Sequence, residues 1–345
     1  MKAIVYTEAG DSGVLAVRER PVPEPGAGQV RVRVVVSGVN PTDWKSRRGS
    51  STRERTARES VPNQDGAGIV DAVGPDVRDL AVGDRVWIYL AAPDYGVTGT
   101  AQEYTVQPAG HVVKLPHDAS FDLGASLGVP ALTAHRALTV AEDGPSALAP
   151  GALAGRVVLV AGGAGAVGHA AIQLARWAGA TVITTVSGPH KAALARAAGA
   201  GHVINYREED VAARVRQIAP DGVDVVVEVA LAANWAIDLA VLKPRGTVAV
   251  YANDGGDAVR LGIGAGLVAN ARLQFILLYT VGARVLADAA RDVAAAVADR
   301  ALPVGQEHGL PLLRFGLHDL AAAHDAVESG AVGKVLVDVA TEPEG

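Results

Sequence analysis

The residues best suited to do chemistry fall in one short stretch. AGGAGAVGHAAIQLAR, residues 161–176, contains Gly163-x-Gly165-x-x-Gly168, preceded by the apolar run 157–161 and followed by apolar residues at helical spacing. Glycines at these intervals permit a tight turn and close approach of the backbone to a pyrophosphate. Unpaired amides at the start of a helix then hold its charge. Gly163, Ala164, Gly165, Ala166, Val167 and Gly168 are therefore candidate dinucleotide-binding residues. The end of the next strand tells the two nicotinamide dinucleotides apart, because a site for the free ribose 2′-hydroxyl carries Asp or Glu there. Here the position is Ser187, followed by Gly188-Pro189-His190-Lys191. The small hydroxyl leaves room for a 2′-phosphate and Lys191 offers it a positive charge, so NADP(H) is the expected cofactor. Lys191 is alternatively a solvated residue of the helix's first turn. A cation is mildly unfavourable there, and that misfit favours a functional role.

Other chemistries are excluded by composition. There is no cysteine, which removes disulfides, a thiol nucleophile and every thiolate metal site. The nine histidines are scattered, without the helical pair that metal hydrolases use, and no metal is expected. A net charge of −6 gives no basic field for nucleic acid. No apolar run is long enough for a membrane span and no signal-peptide pattern follows Met1-Lys2, so the expected location is the cytoplasm.

The elements that must position the loop are legible as two patterns. The 345 residues suffice for about two domains at roughly 100–200 residues each. Val30, Val32, Val34 and Val36 alternate with Arg31, Arg33 and Val35, and short strands are expected at 68–73, 85–89, 103–107 and 112–115, with Gly/Pro/Asp turns between them. This is the pattern of a small barrel or partly open sheet. From about Val129 strands at 157–161, 181–186, 202–205, 223–229, 247–251 and 273–278 alternate with helical stretches, which implies a doubly wound parallel sheet. Helices near 284–300 and 318–329 and a strand at 334–339 complete the chain. The charged run 50–60, SSTRERTARES, is either a solvated loop or a mobile lip attracting an acidic substrate tail.

With the glycine loop, NYREED at 205–210, GVNPTDWK at 38–45, PALTAH at 130–135 and VGKVLVDV at 332–339, the chain resembles the zeta-crystallin-type quinone oxidoreductases, zinc-free medium-chain dehydrogenases/reductases. The resemblance covers nearly the whole length, although residues 50–62 fit poorly. It implies an α/β fold: a Rossmann doubly wound parallel sheet over 130–281, and a GroES-like β-rich catalytic domain formed by 1–129 and 282–345. It also implies that Lys191 and Tyr206 grip the 2′-phosphate, that Thr133 lies against the nicotinamide carboxamide, and that Asn40 forms the active-site floor. Taken alone, Tyr206 reads as a strand-end surface aromatic. Zinc alcohol dehydrogenases are similar in fold but carry a cysteine where Asn40 stands and a histidine where Gln64 stands, so a catalytic zinc is not expected.

One departure bears on the acceptor. Many quinone oxidoreductases have a tyrosine where this chain has Trp44-Lys45, and Asn-Pro-x-Asp-Trp-Lys resembles related enoyl reductases instead. A quinone or enone is the expected small-molecule substrate, with an activated C=C bond as the alternative. Lys45 is either a donor to the developing enolate or an exposed lysine beside Arg47 and Arg48. Asn40 offers an amide N–H to the same oxygen or caps its loop, and Tyr95 is a candidate pocket wall. A protein that binds NADPH without turnover is the alternative of another class. LQFILLYTV, 273–281, is apolar on both faces and late in the series, hence towards a sheet edge. Similar family members pair that edge across a two-fold axis, so a homodimer is expected; the alternative is cover by the chain's own 284–300 helix.

Overall fold

Two compact units form in the computed structural model, which describes residues 1–49, 59–92 and 96–341: one from Met1–Val129 with Leu312–Gly345, the other from Pro130–Pro311. The expected boundary at 282 is corrected to 312. Residues 283–311 join the second unit because their helix buries Leu286, Ala289, Ala290, Val293, Ala296 and Val297, and because Asp292 is tied to that unit. Its carboxylate accepts from the Leu148 amide at 2.8 Å and pairs with His135 Nε2 at 2.8 Å.

The first unit opens with β1 (Lys2–Val5) paired antiparallel to β2 (Ala16–Glu19). β3 (Gln29–Val39) follows, with Val30, Val32 and Val34 fully buried. It runs into α1 (Pro41–Arg47), where the Asp43 carboxylate returns to accept from the Asn40 amide at 2.7 Å and fixes the entry to the helix. β4 (Asp65–Val73), β5 (Arg85–Ile88), β6 (Tyr104–Pro108) and β7 (Val112–Lys114) come next, then α2 (Phe121–Leu138).

The second unit alternates strictly: β8 (Val157–Ala161), α3 (Ala166–Trp177), β9 (Thr181–Val186), α4 (Pro189–Ala197), β10 (His202–Asn205), α5 (Val211–Ile218), β11 (Val223–Glu228), α6 (Leu231–Val241), β12 (Leu242–Val250), α7 (Ile263–Ala269), β13 (Arg272–Phe275) and α8 (Ala283–Ala298). The strands are all parallel, in the order β10-β9-β8-β11-β12-β13. Such a sheet reverses its winding between β8 and β11, and ligands bind outside the carboxyl ends of the strands at that point. The chain then returns to the first unit through β14 (Leu312–Gly316), α9 (Leu320–Glu328) and β15 (Lys334–Asp338). In that unit β3 gives one edge to β4 and divides the other between β6 and β15.

The strand expected at 273–281 is shorter. β13 ends at Phe275, and residues 278–280 form a 3-10 turn. Ile276 and Leu278 are buried within their own chain, whereas Phe275 and Leu277 are 65% and 51% exposed. β13 closes the sheet with β12 as its neighbour. Residues 50–58 of the charged run and Tyr95 lie outside the described residues.

Candidate functional site

The glycine loop joins β8 to α3 at the winding reversal, and each glycine has its own reason. Gly162 has φ +71°, a conformation open to glycine at little cost. A Cβ on Gly163 would stand 2.1 Å from Thr184 Oγ1, and one on Gly168 2.4 Å from the Gly162 carbonyl oxygen, so both are demanded by packing. Gly165 differs: its Cβ would meet protein no nearer than 3.5 Å. Nothing among the described residues requires glycine there, and bare backbone facing open space is what a pyrophosphate needs. α3 starts at Ala166, and the amide of His169 bonds to the Gly165 carbonyl at 2.8 Å. The amides of Ala166, Val167 and Gly168 precede it in the first turn and point outward from the helix start, with Ala164 in the turn before them.

The residues expected at the adenosine end lie on neighbouring strand ends. The Tyr206 amide bonds to the Val186 carbonyl at 3.1 Å, so Tyr206, just past β10, lies beside Ser187, just past β9. Lys191 is the third residue of α4, half-buried, and makes no ion pair or side-chain hydrogen bond among the described residues. Tyr206 is 51% exposed, with its ring available to a ligand. Thr133 is buried in α2 within the second unit. Towards the other edge, the ends of β12 and β13 border a cavity of about 460 Å³, with Leu231, Val250 and Leu277 on its wall beside the polar Asn253, Asp257 and Thr280.

In the first unit, Asn40 is the centre of a buried polar cluster that sequence reasoning missed in all but one member. Its Nδ2 donates to Asp65 Oδ2 at 2.6 Å, and its Oδ1 accepts from Lys334 Nζ at 2.7 Å, with Lys334 Nζ also 3.4 Å from Asp65 Oδ2. Asp65 Oδ1 accepts from the Val129 amide at 2.8 Å, and Asp43 Oδ1 from the Gln64 amide at 3.1 Å. Asn40, Asp43, Asp65 and Lys334 are each 3% exposed or less. Burial pushes the Asp43 carboxyl up to about 8, raises that of Asp65 and pulls the Lys334 ammonium down, while the opposite charges act against these shifts for Asp65 and Lys334.

Lys45 makes no hydrogen bond or ion pair with this cluster among the described residues. It is half-buried in α1 with its ammonium 5.7 Å from the Trp44 ring centroid. The cation beside Asn40 is Lys334, not Lys45. Gln64 is spent on structure: its Nε2 donates to the Ala92 carbonyl at 2.8 Å and its Oε1 accepts from the Ala92 amide at 3.0 Å. Among the described residues no group of three His, Asp or Glu side chains could hold a metal ion, and no helix is long and apolar enough to cross a membrane.

Comparison with known proteins agrees with both halves. Residues 26–117 match the alcohol dehydrogenase GroES-like domain, and 166–296 the zinc-binding dehydrogenase domain. The chain is 31% identical to the quinone oxidoreductase of Lama guanicoe over 345 residues, spanning 98% of this chain and 97% of that one. This chain belongs to the quinone oxidoreductase family. As a member, it is an oxidoreductase of the medium-chain dehydrogenase/reductase type, with the family's Rossmann and GroES-like parts. The Escherichia coli quinone oxidoreductase complexed with NADPH superposes with a TM-score of 0.80 at 26% identity, over 98% of this chain and 100% of that one. A 2-haloacrylate reductase from Burkholderia sp is 35% identical over 262 residues, covering 75% of this chain and 74% of that protein.

Proposed function

We propose that this quinone oxidoreductase family member is an NADPH-dependent reductase that adds one hydride and one proton to a quinone or another electron-poor conjugated carbonyl compound. The observation that carries the cofactor assignment is the trio at the ends of β9 and β10: no carboxylate at Ser187, an uncommitted Lys191 and an exposed Tyr206. Gly163, Ala164, Gly165, Ala166, Val167 and Gly168 would cradle the pyrophosphate, and Thr133 would lie against the carboxamide. When bound, NADPH supplies the hydride, and the protein's own task is to orient the acceptor and meet the charge that develops on its oxygen. Asn40 supplies an amide N–H for that charge, and Lys45 a cation.

The name of the haloacrylate-reducing relative supports a second reading, reduction of a C=C bond activated by a neighbouring carbonyl. Both readings place negative charge on a conjugated oxygen and need the same donor. Following NADPH oxidation with quinones, enals, enones and enoyl thioesters decides between them. Loss of no NADPH with any acceptor would favour a binding protein without turnover. NADPH should bind at least tenfold tighter than NADH, about 1.4 kcal/mol, and equal affinities would overturn the cofactor assignment. The homodimer belongs to the same reading, with Phe275 and Leu277 at the β13 edge and Ile263, Leu267 and Val268 of α7 exposed beside it in sequence. Location in the cytoplasm fits a diffusible substrate and cofactor.

A further inference from the structure

We propose that Lys334 is a positioning residue for the reduction, holding Asn40 in one orientation and strengthening its remaining N–H as a donor to the acceptor's developing oxyanion. The inference rests on the function proposed above and assigns a role to a residue outside the candidate donors read from sequence. An asparagine amide has one acceptor oxygen and two N–H donors. Here the oxygen takes the Lys334 ammonium at 2.7 Å and one N–H goes to the Asp65 carboxylate at 2.6 Å. Turning the amide over would set its NH₂ against the ammonium and its oxygen against the carboxylate, replacing two charge-assisted attractions with two repulsions. The orientation is therefore determinate. The second N–H has no acceptor among the described residues, and it is the one left for a ligand. A cation on the carbonyl draws electron density from the nitrogen, so that N–H donates more strongly than a free amide would.

The surroundings are shaped to admit this arrangement. A Cβ on Gly128 would stand 2.0 Å from Asp65 Oδ1, and one on Gly38 3.1 Å from Lys334 Cε and 2.1 Å from the Ala125 carbonyl. Lys334 comes from β15, whose neighbouring residue Val335 pairs with Val39 on β3, so the sheet itself delivers the ammonium to the residue that follows β3. The Lys334 ammonium has three N–H donors to place, and one of them goes to Asn40. Its shorter contact is to the neutral amide, 2.7 Å against 3.4 Å to the carboxylate.

The test is Lys334→Met in the full chain, read in two ways. Side-chain amide resonances of isotope-labelled asparagine, with Asn40 assigned by its loss in Asn40→Ala, report the hydrogen bond without turnover. Steady-state kinetics with NADPH and para-benzoquinone report the reaction. The Asn40 amide protons should move upfield and kcat should fall at least about tenfold, with the NADPH Kd and acceptor KM within about twofold of the parent. If the single variant does not fold, Lys334→Met/Asp65→Asn removes both buried charges while keeping an acceptor at position 65, and carries the same test. Unmoved Asn40 resonances overturn the proposal, and so does an unchanged kcat when the resonances move. A parent protein that turns over none of the acceptors refutes the reductase reading itself, an outcome distinct from failure of the Lys334 assignment alone.

Discussion

Replacing Asp238 by asparagine should stabilise the second unit at neutral pH and leave that advantage to disappear in acid. Glu228, the last residue of β11, is fully buried, and Asp238 of α6 faces it at 2% exposure, the two carboxyls sharing a hydrogen bond. Glu228 also accepts from Asn234 Nδ2 at 3.1 Å and from the Ala230 amide, whereas Asp238 Oδ2 has no partner. Burial, and then the Glu228 charge, push Asp238 from its ordinary 3.8 up to about 9, so the pair keeps one proton at neutral pH. The folded value is the raised one, so the contribution to stability is complete below about pH 4 and declines as pH rises through about 9. At pH 7 the unfolded chain has released this proton and folding must recover it, a cost of at most about 4 kcal/mol at about 1.4 kcal/mol per unit. An asparagine donates to Glu228 without recovering a proton, but buries a second N–H, a cost of about 1–3 kcal/mol. The net expectation is about 1–3 kcal/mol of stabilisation near pH 7 to 8. The quantity to measure is the variant-minus-parent stability by urea unfolding at several pH values between 5 and 8. It should climb with pH, and a difference that stays constant across this range would refute the shared-proton argument.

Gly165→Ala should melt with the parent, since its Cβ meets nothing nearer than 3.5 Å, yet lose at least tenfold in NADPH affinity (about 1.4 kcal/mol), read by fluorescence titration. Gly163→Ala should instead lose about 1–3 kcal/mol of stability, because Thr184, which donates to the Val160 carbonyl at 2.7 Å, has to move; chemical unfolding checks it. Lys191→Ala should weaken NADPH binding and leave NADH binding nearly unchanged, by the same titration. Phe275→Lys and Leu277→Lys should shift the protein to monomers in sedimentation, whereas dimers indifferent to both would rule out the β13 edge.

Legibility followed sequence distance. The nucleotide loop and the alternation of the second unit could be read because their determinants sit within a few residues: three glycines in six positions, a strand before them and a helix after. The Asn40 cluster could not, because its partners lie 25 and 294 residues away and each looks ordinary where it stands. The usable signal was Lys334 at the head of VLVDV, a lysine opening an apolar strand, and that strand's burial depends on pairing with β3. α2 is not legible in sequence as one helix because Pro130 interrupts its interior pattern and Gly124 and Gly128 dilute it. Residues 273–281 looked like one long strand because hydrophobicity continues past Phe275 into a turn that buries Ile276 and Leu278 rather than extending the sheet.

The return of the chain to the first unit at Leu312 fixes an order of events during synthesis. A ribosome releases Pro130–Pro311 as an uninterrupted segment with every strand of its sheet, so this unit is able to fold while the chain is still growing. The first 129 residues have no such option, for β3 leaves the translation machinery with half of one edge unpaired until β15 arrives, about 300 residues later. During that interval Asn40 and Asp65 have no ammonium beside them, and Val36 to Val39 present an open strand edge to any other nascent chain. Premature termination between Pro311 and Lys334 therefore yields a chain with a complete second unit and an unsealed first sheet, a species prone to aggregate.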